Sequence, residues 1–335
     1  MKEIVVSGIR PTGKLHIGNY FGAVVNFLKM QHDYNCYFFI ADIHSLTTHP
    51  TPADLHNSVK RVLAEYIAVG LDLDKCTLFI QSDVPEISEL YTYMNMNAYM
   101  GELERSATFK EKIRIQPDNV NAGLLTYPVL MAVDILIHKA HKVPVGKDQE
   151  QHLEMTRTFG NRFNRLYNVD FFPEPQAFSY SDKLVKVPGL TGMGKMSKSG
   201  GGGEADAIFI GDDEAVNTKK IMRAKTDTGP TRQNQKKAEE VQNLFDIMAL
   251  VSSPDTTENF DMAYNNCTIR YGDMKKQLAV DMDLFLKPTR EKINEALKNE
   301  AVLAKAAKIG AEKARESASK TLKEVREIIG FRKFY

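Results

Sequence analysis

This chain of 335 residues contains no tryptophan, an absence common enough in a rare residue to exclude nothing by itself. Its only cysteines, Cys36, Cys76 and Cys267, lie far apart. A disulfide framework needs pairs and a clustered zinc or iron–sulfur site needs ligands at short spacings, so neither is supported. No apolar run approaches the ~18 residues of a membrane span. The start, "MKEIVVSGIR", has neither the length nor the small-residue cleavage site of a signal peptide. A cytoplasmic protein that does not enter a membrane is expected. Net charge is scarce too: 44 Lys and Arg against 43 Asp and Glu leave +1. That balance argues against a wholly basic surface and leaves room for a local basic face. What remains is an enzyme-sized chain, 43% apolar and 26% charged, long enough for two domains.

Apolar runs alternate with helical ones along the first part. "EIVVSGI" (3–9), "CYFFIAD" (36–42), "TLFIQS" (77–82) and "HKVPVG" (141–146) read as strands, while residues 55–69, 89–100, 124–137 and 148–167 read as helices. Such alternation predicts an α/β fold with a parallel sheet covered by helices on both faces. From Asp212 onward the pattern is amphipathic helix, with Pro254 and Pro288 expected as breaks. Leu303, Ala307, Ala311, Ala314, Ala318, Leu322, Val325 and Ile329 then form one apolar stripe, expected to pack as core.

Two stretches carry chemistry. In "KLHIGNYFGA" (14–23) a helix begins with His16, Ile17, Gly18 and Asn19, directly after a strand and the turn residues Pro11, Thr12 and Gly13. A strand, a tight turn and a helix start make a natural anion site, because free N–H groups and the helix dipole point the same way. An acidic cap, common elsewhere, would repel a phosphate there. The second stretch, "GMGKMSKSGGGG" (192–203), sets two lysines three apart among serines and glycines. Lys195 and Lys198 can place compact charges on phosphate oxygens, and Ser197 and Ser199 can add hydrogen bonds. By residue frequencies, "KMSKS" should occur by chance in roughly one chain of this length in ten thousand.

"HIGN" and "KMSKS" together resemble the two signatures of class I aminoacyl-tRNA synthetases. Asn19, in place of that family's second histidine, is typical of the tryptophanyl branch. "GELER" (101–105), "FKEK" (109–112), "GLLTYP", "VPVGKDQ" and "KIMRAKTD" (220–227) are similar to that branch as well. The resemblance implies a Rossmann-like catalytic domain over residues 1–205, a helical anticodon-binding domain over 206–290, and a C-terminal helical segment, 291–335, packed on both. It also implies ATP as a substrate, Mg²⁺ held mainly by the phosphates, L-tryptophan, tRNA(Trp) and a homodimer.

On the residues themselves, Tyr127, Met131 and Asp134 sit at i, i+4 and i+7, hence on one helix face. A buried carboxylate needs a partner, and an indole N–H, a donor only, suits an acceptor that phenylalanine would leave unpaired. A thioether at Met131 suits a large aromatic face. The resemblance implies substrate contacts from Val6, Gly8, His44, Tyr127, Met131, Asp134, Val143, Val145 and Gln149. For ATP it implies Arg10, Pro11, Thr12, Gly18, Asn19, Lys112, Gly146, Asp148, Lys195, Met196, Ser197 and Lys198, with His16, Asn19, Lys195 and Lys198 catalytic. Val6 and Arg10 depart from the aromatic residue and the glutamine common in bacterial relatives, which implies a rearranged pocket floor. Alternatives that stay open are a tyrosyl enzyme, a nucleotidyltransferase of the same superfamily, and a synthetase-like sensor. A nucleotidyltransferase would lack the roughly 130 residues that follow the lysine loop.

Overall fold

The computed structural model describes residues 2–11, 13–146, 150–178, 180, 185–192, 194–197, 203–332 and 334, and only the backbone of 107 and 108. The elements begin with β1 (Ile4–Ile9), α1 (Ile17–Asn19), a π-helical turn (Tyr20–Val24), α2 (Val25–Asp33), β2 (Asn35–Ile40) and α3 (Asp42–Ser45). Next come α4 (Pro52–Ala68), β3 (Cys76–Ile80), α5 (Pro85–Asn97), α6 (Met100–Arg105), α7 (Ala107–Ile115), α8 (Ala122–Leu136), β4 (Lys142–Pro144), α9 (Glu150–Tyr167) and β5 (Gln176–Phe178). The rest is helical: α10 (Glu214–Arg223), α11 (Glu239–Val251), α12 (Pro254–Asn265), α13 (Tyr271–Lys298) and α14 (Glu300–Ile328).

Two compact units result, and neither is one continuous stretch. The first gathers Met1–Gly13, Leu28–Asp182 and Asn299–Tyr335, the second Lys14–Phe27 and Lys183–Lys298. The expected divisions lie after 205 and 290. The observed ones put the C-terminal helix with the sheet and "KLHIGNYFGA" with the later helices.

In the first unit five strands run parallel in the order β3-β2-β1-β4-β5. This order is Rossmann-like, and its reversal falls between β1 and β4, where the carboxyl ends of strands collect ligands in α/β proteins. Helices pack on the sheet, and the central strands are mostly apolar: Val5, Val6, Phe38, Ile40 and Leu78 are buried. The four expected strands are present. The fifth, β5, gives no alternation to read, being three largely exposed residues next to Pro175.

The C-terminal stripe is core, as expected. Leu303, Ala314, Ala318, Leu322 and Val325 are buried, with Ala307, Ala311 and Ile329 half-buried. Its closest approach is at Gly310, where a Cβ would lie 1.8 Å from the Leu78 carbonyl oxygen and 2.7 Å from its carbon. The α14 backbone thus rests on that of β3, and a backbone neighbour cannot rotate away. Gly310→Ala is expected to destabilise the fold by about 1–3 kcal/mol. A urea titration should show a lower midpoint at an unchanged slope; an unchanged midpoint would contradict this packing.

The second unit packs Ile17, Met196, Phe209, Met248, Tyr264, Met274, Met282 and Ile293 into its interior. Pro254 opens α12, with the Ser253 hydroxyl accepting the Thr256 N–H at 3.1 Å, which fits the expected break. Pro288 corrects the reading: it lies inside α13, which continues to Lys298. Pro288 and Leu284 are on the exposed side, so the Leu284 carbonyl that loses its donor can meet water. Buried Met282, Leu286 and Ile293, on both sides of Pro288, hold the helix through it.

Candidate functional site

In the first unit a cavity of about 360 Å³ opens at the carboxyl ends of β1, β2 and β4. That volume lies within the ~300–1,000 Å³ usual for small-molecule sites. Val6, Gly8, Arg10, His44, Lys112, Tyr127, Met131, Asp134, Val143, Val145 and Gly146, all expected at a ligand, line this one cavity. Pro11 is buried and does not line it. Thr12, Asp148 and Gln149 lie outside the described residues. Gly8 has a packing reason for its missing side chain: a Cβ there would come within 2.6 Å of the Phe39 ring on β2.

Tyr127, Met131 and Asp134 do share the cavity face of α8. The Asp134 carboxylate already has a protein partner, however: Gln81 Nε2 donates to both of its oxygens, at 2.8 and 2.9 Å. Gln81 is fully buried, and its own Oε1 accepts the His44 N–H at 3.2 Å, which fixes which way the amide faces. The need for a partner that the sequence assigns to a ligand is therefore met in part by Gln81, while a carboxylate's further lone pairs remain for the cavity. Burial pushes Asp134 well above the usual carboxylate range, against the opposing effect of the Gln81 bond.

Arg10 and Lys112 add cationic groups to the lining. Lys112 Nζ stands 3.7 Å from the centre of the Tyr127 ring. Burial, helped by Arg10, pushes the Lys112 ammonium down to about 8. His44 meets Tyr127 edge-on at 5.3 Å, and burial, then Arg10, Lys112 and His152, push it down to about 3, so it is neutral. The Tyr127 hydroxyl and His152 Nε2 are 2.8 Å apart. Arg10 and Lys112 suit an anion on the ligand.

The second unit brings the two motif stretches together. The Ile17 N–H donates to Ile208 O at 3.0 Å and the Ile210 N–H to Leu15 O at 2.9 Å, so "LHI" is stitched to the segment after the lysine loop. His16 and Asn19 cap each other: His16 Nδ1 accepts the Asn19 N–H at 3.3 Å, and Asn19 Oδ1 accepts the His16 N–H at 3.4 Å. A histidine whose Nδ1 accepts carries its proton on Nε2. Gly18 is required by its neighbours, since a Cβ would lie 2.9 Å from the His16 ring and 3.3 Å from Met196 Cβ. Met196 is buried and its N–H donates to Val187 O at 2.9 Å, while Lys195 is exposed. The loop therefore hangs from Met196 with Lys195 turned outward, and Ser197 is half-buried. Lys198 lies outside the described residues.

Sequence reasoning missed three residues. Gln81 follows the end of β3, and the rule that ligands collect at strand carboxyl ends would have found it in "TLFIQS". His152, buried on α9, carries no motif signal. Asp206, also buried, accepts the Thr191 N–H at 2.9 Å and hydroxyl at 2.7 Å, fastening the loop before Lys195; a Cβ on Gly189 would strike its carboxylate at 2.3 Å.

The family described as tRNA synthetases class I (W and Y) matches residues 2–287. Over 330 residues the chain is 60% identical to the tryptophan–tRNA ligase of Porphyromonas gingivalis, covering 98% of this chain and all of that one. It is 41% identical to that of Rickettsia conorii over 333 residues, 99% of each. Among solved structures, the tryptophanyl-tRNA synthetase of Campylobacter jejuni complexed with ADP and tryptophan superposes with a TM-score of 0.89 at 32% identity, covering 98% of this chain and 99% of that one.

Proposed function

The chain belongs to the class I tRNA synthetases for tryptophan and tyrosine, and we propose that it works as a tryptophan–tRNA ligase. It activates L-tryptophan with ATP to tryptophanyl-adenylate and pyrophosphate, then transfers tryptophan to tRNA(Trp). The observation that carries the choice of amino acid is Asp134, a buried acceptor on the wall of a mainly apolar cavity beside the thioether of Met131. The indole N–H donates to it, and Val143 and Val145 flank the ring. Tyr127 and Gln149 orient the amino and carboxylate groups. The relatives named for tryptophan, and a neighbour that holds ADP and tryptophan, support the same choice.

The chemistry needs no protein nucleophile. A carboxylate oxygen attacks the α-phosphorus of ATP, the bond to the bridging oxygen breaks, and pyrophosphate leaves with the electron pair. Catalysis is then alignment and charge neutralisation. His16 donates from Nε2 to the phosphates, Asn19 adds its amide, and Lys195 and Lys198 neutralise the leaving pyrophosphate. Mg²⁺ arrives with ATP as part of that substrate, held mainly by the phosphates.

Lys112 is assigned to the anionic groups of the substrates. Because burial, then Arg10, push its ammonium down to about 8, its attraction for phosphate is expected to be full below that value and to fade above it. The kcat/KM for ATP, which reports the free enzyme, is expected to fall as pH rises through about 8, and Lys112→Met should remove that limb. A limb that persists in the variant would contradict the role.

Residues 206–290 bind the tRNA anticodon, supported by the exposed Lys219 and Arg223 on α10 and Lys225, Arg232 and Lys236 after it. The enzyme works as a homodimer in the cytoplasm. Exposed Met96, Tyr99, Met100, Ile115 and Val120, all from one stretch of the first unit, support a covered surface. No helix among the described residues is long and apolar enough to cross a membrane. Charging of tRNA(Trp) by the purified protein tests the reading: tryptophan should be attached and tyrosine not, and the reverse would replace the assignment.

A further inference from the structure

Asp134 alone does not define an acceptor. A carboxyl group sealed in apolar surroundings tends toward its protonated form, in which one oxygen becomes a donor and can no longer accept from every direction. What stands against that tendency is Gln81. Its amide orientation is not free, because Oε1 is committed to the His44 N–H at 3.2 Å. Nε2 must then face the carboxylate, where it reaches both oxygens within 2.9 Å. Such an arrangement favours two bare oxygens. A protonated Asp134 would leave the Gln81 amide a hydroxyl oxygen, a weaker acceptor than a carboxylate oxygen, at one of these two contacts.

Resting on the tryptophan reading above, we infer that Gln81 is a positioning residue for amino-acid selection: tied to the His44 backbone, it holds the Asp134 carboxylate as an acceptor facing the ligand's ring N–H. Gln81 belongs to the turn after β3, His44 to α3 and Asp134 to α8, so three separate elements meet at one amide. The other ionisable groups around Asp134 are Asp42 on α3, Arg10 after β1, Lys112 on α7, Tyr127 on its own helix and His152 on α9. Asp42 adds to burial in favouring the protonated form, and neutral His44 does not oppose it. Arg10, Lys112 and His152 line the same cavity and face Tyr127 or the neutral His44.

Two substitutions separate this role from a merely structural one through opposite pH responses. Gln81→Met keeps the volume and removes the donor, so Asp134 shifts further toward its protonated form and regains its acceptor role as pH rises. Gln81→Glu keeps an acceptor for the His44 N–H but donates to Asp134 only while protonated, so it works at low pH and fails as pH rises. Because the chain has no tryptophan of its own, the indole emission of added tryptophan reports binding directly on the full-length protein. At neutral pH, Gln81→Met is expected to weaken tryptophan binding about tenfold or more, with KM for ATP within about twofold of wild type. Its affinity should climb with pH while that of Gln81→Glu declines, and either slope alone, in whichever variant folds, supports the role. Wild-type affinity at every pH, or a loss that does not change with pH, overturns it. Wild-type protein that binds no tryptophan overturns the underlying reading, which the control in the same experiment shows separately.

Discussion

Replacing Lys195 by alanine is expected to slow tryptophan-dependent ATP–pyrophosphate exchange by about 10²–10³-fold, or about 3–4 kcal/mol of barrier. The reason lies in how the loop is held. Met196 is buried and hydrogen-bonded through its backbone to Val187, and Asp206 fastens Thr191, so the segment keeps its place when the exposed side chain of Lys195 is removed. In the role proposed for it the ammonium counters charge that develops on the leaving pyrophosphate, so the loss should fall on kcat. Affinity for tryptophan, which the proposed function places in the cavity of the first unit, should change little. Lys198→Ala is expected to behave the same way. Weakened tryptophan binding at an unchanged rate would refute the assignment of these lysines to the phosphates.

The second large effect is on selectivity. Asp134→Asn keeps shape and volume, yet it sets an amide against Gln81 Nε2, which now faces both carboxylate oxygens at 2.8 and 2.9 Å. If the new amide turns its oxygen to Gln81, its NH₂ opposes the ring N–H; if it turns the other way, two donors meet inside the protein. Either outcome removes the charge-assisted bond proposed between Asp134 and the ligand, about 1.5–3 kcal/mol. The ratio of kcat/KM for tryptophan over tyrosine and phenylalanine should fall by about 10–150-fold, with KM for ATP nearly unchanged. An intact preference would remove Asp134 from amino-acid recognition.

Much of this site was legible before any fold was drawn, because its signals are local. "EIVVSGI", "CYFFIAD" and "TLFIQS" are apolar runs of strand length, and the spacing of Tyr127, Met131 and Asp134 fixes a common helix face wherever the helix goes. What stayed hidden depends on distant contacts. Nothing near "KLHIGN" says that its backbone is stitched to residues 208–210, about 190 positions later, and so it leaves the sheet's unit for the helical one. Gln81 was readable as a strand-end residue, but its bond to Asp134 bridges 53 positions. Gly310 was invisible for the opposite reason: an apolar stripe is read from side chains, and this contact is made by the lack of one. Pro288 shows the limit of a breaker signal, since a proline on a helix's wet side can be tolerated when the buried side is well packed.

Whether the cavity selects an indole for adenylate formation is decided by ATP–pyrophosphate exchange with each of the twenty amino acids in turn on the purified full-length protein. Exchange should be supported by tryptophan far above all others, with tyrosine and phenylalanine near background. Exchange driven better by tyrosine, or exchange with no amino acid at all, would contradict that selection.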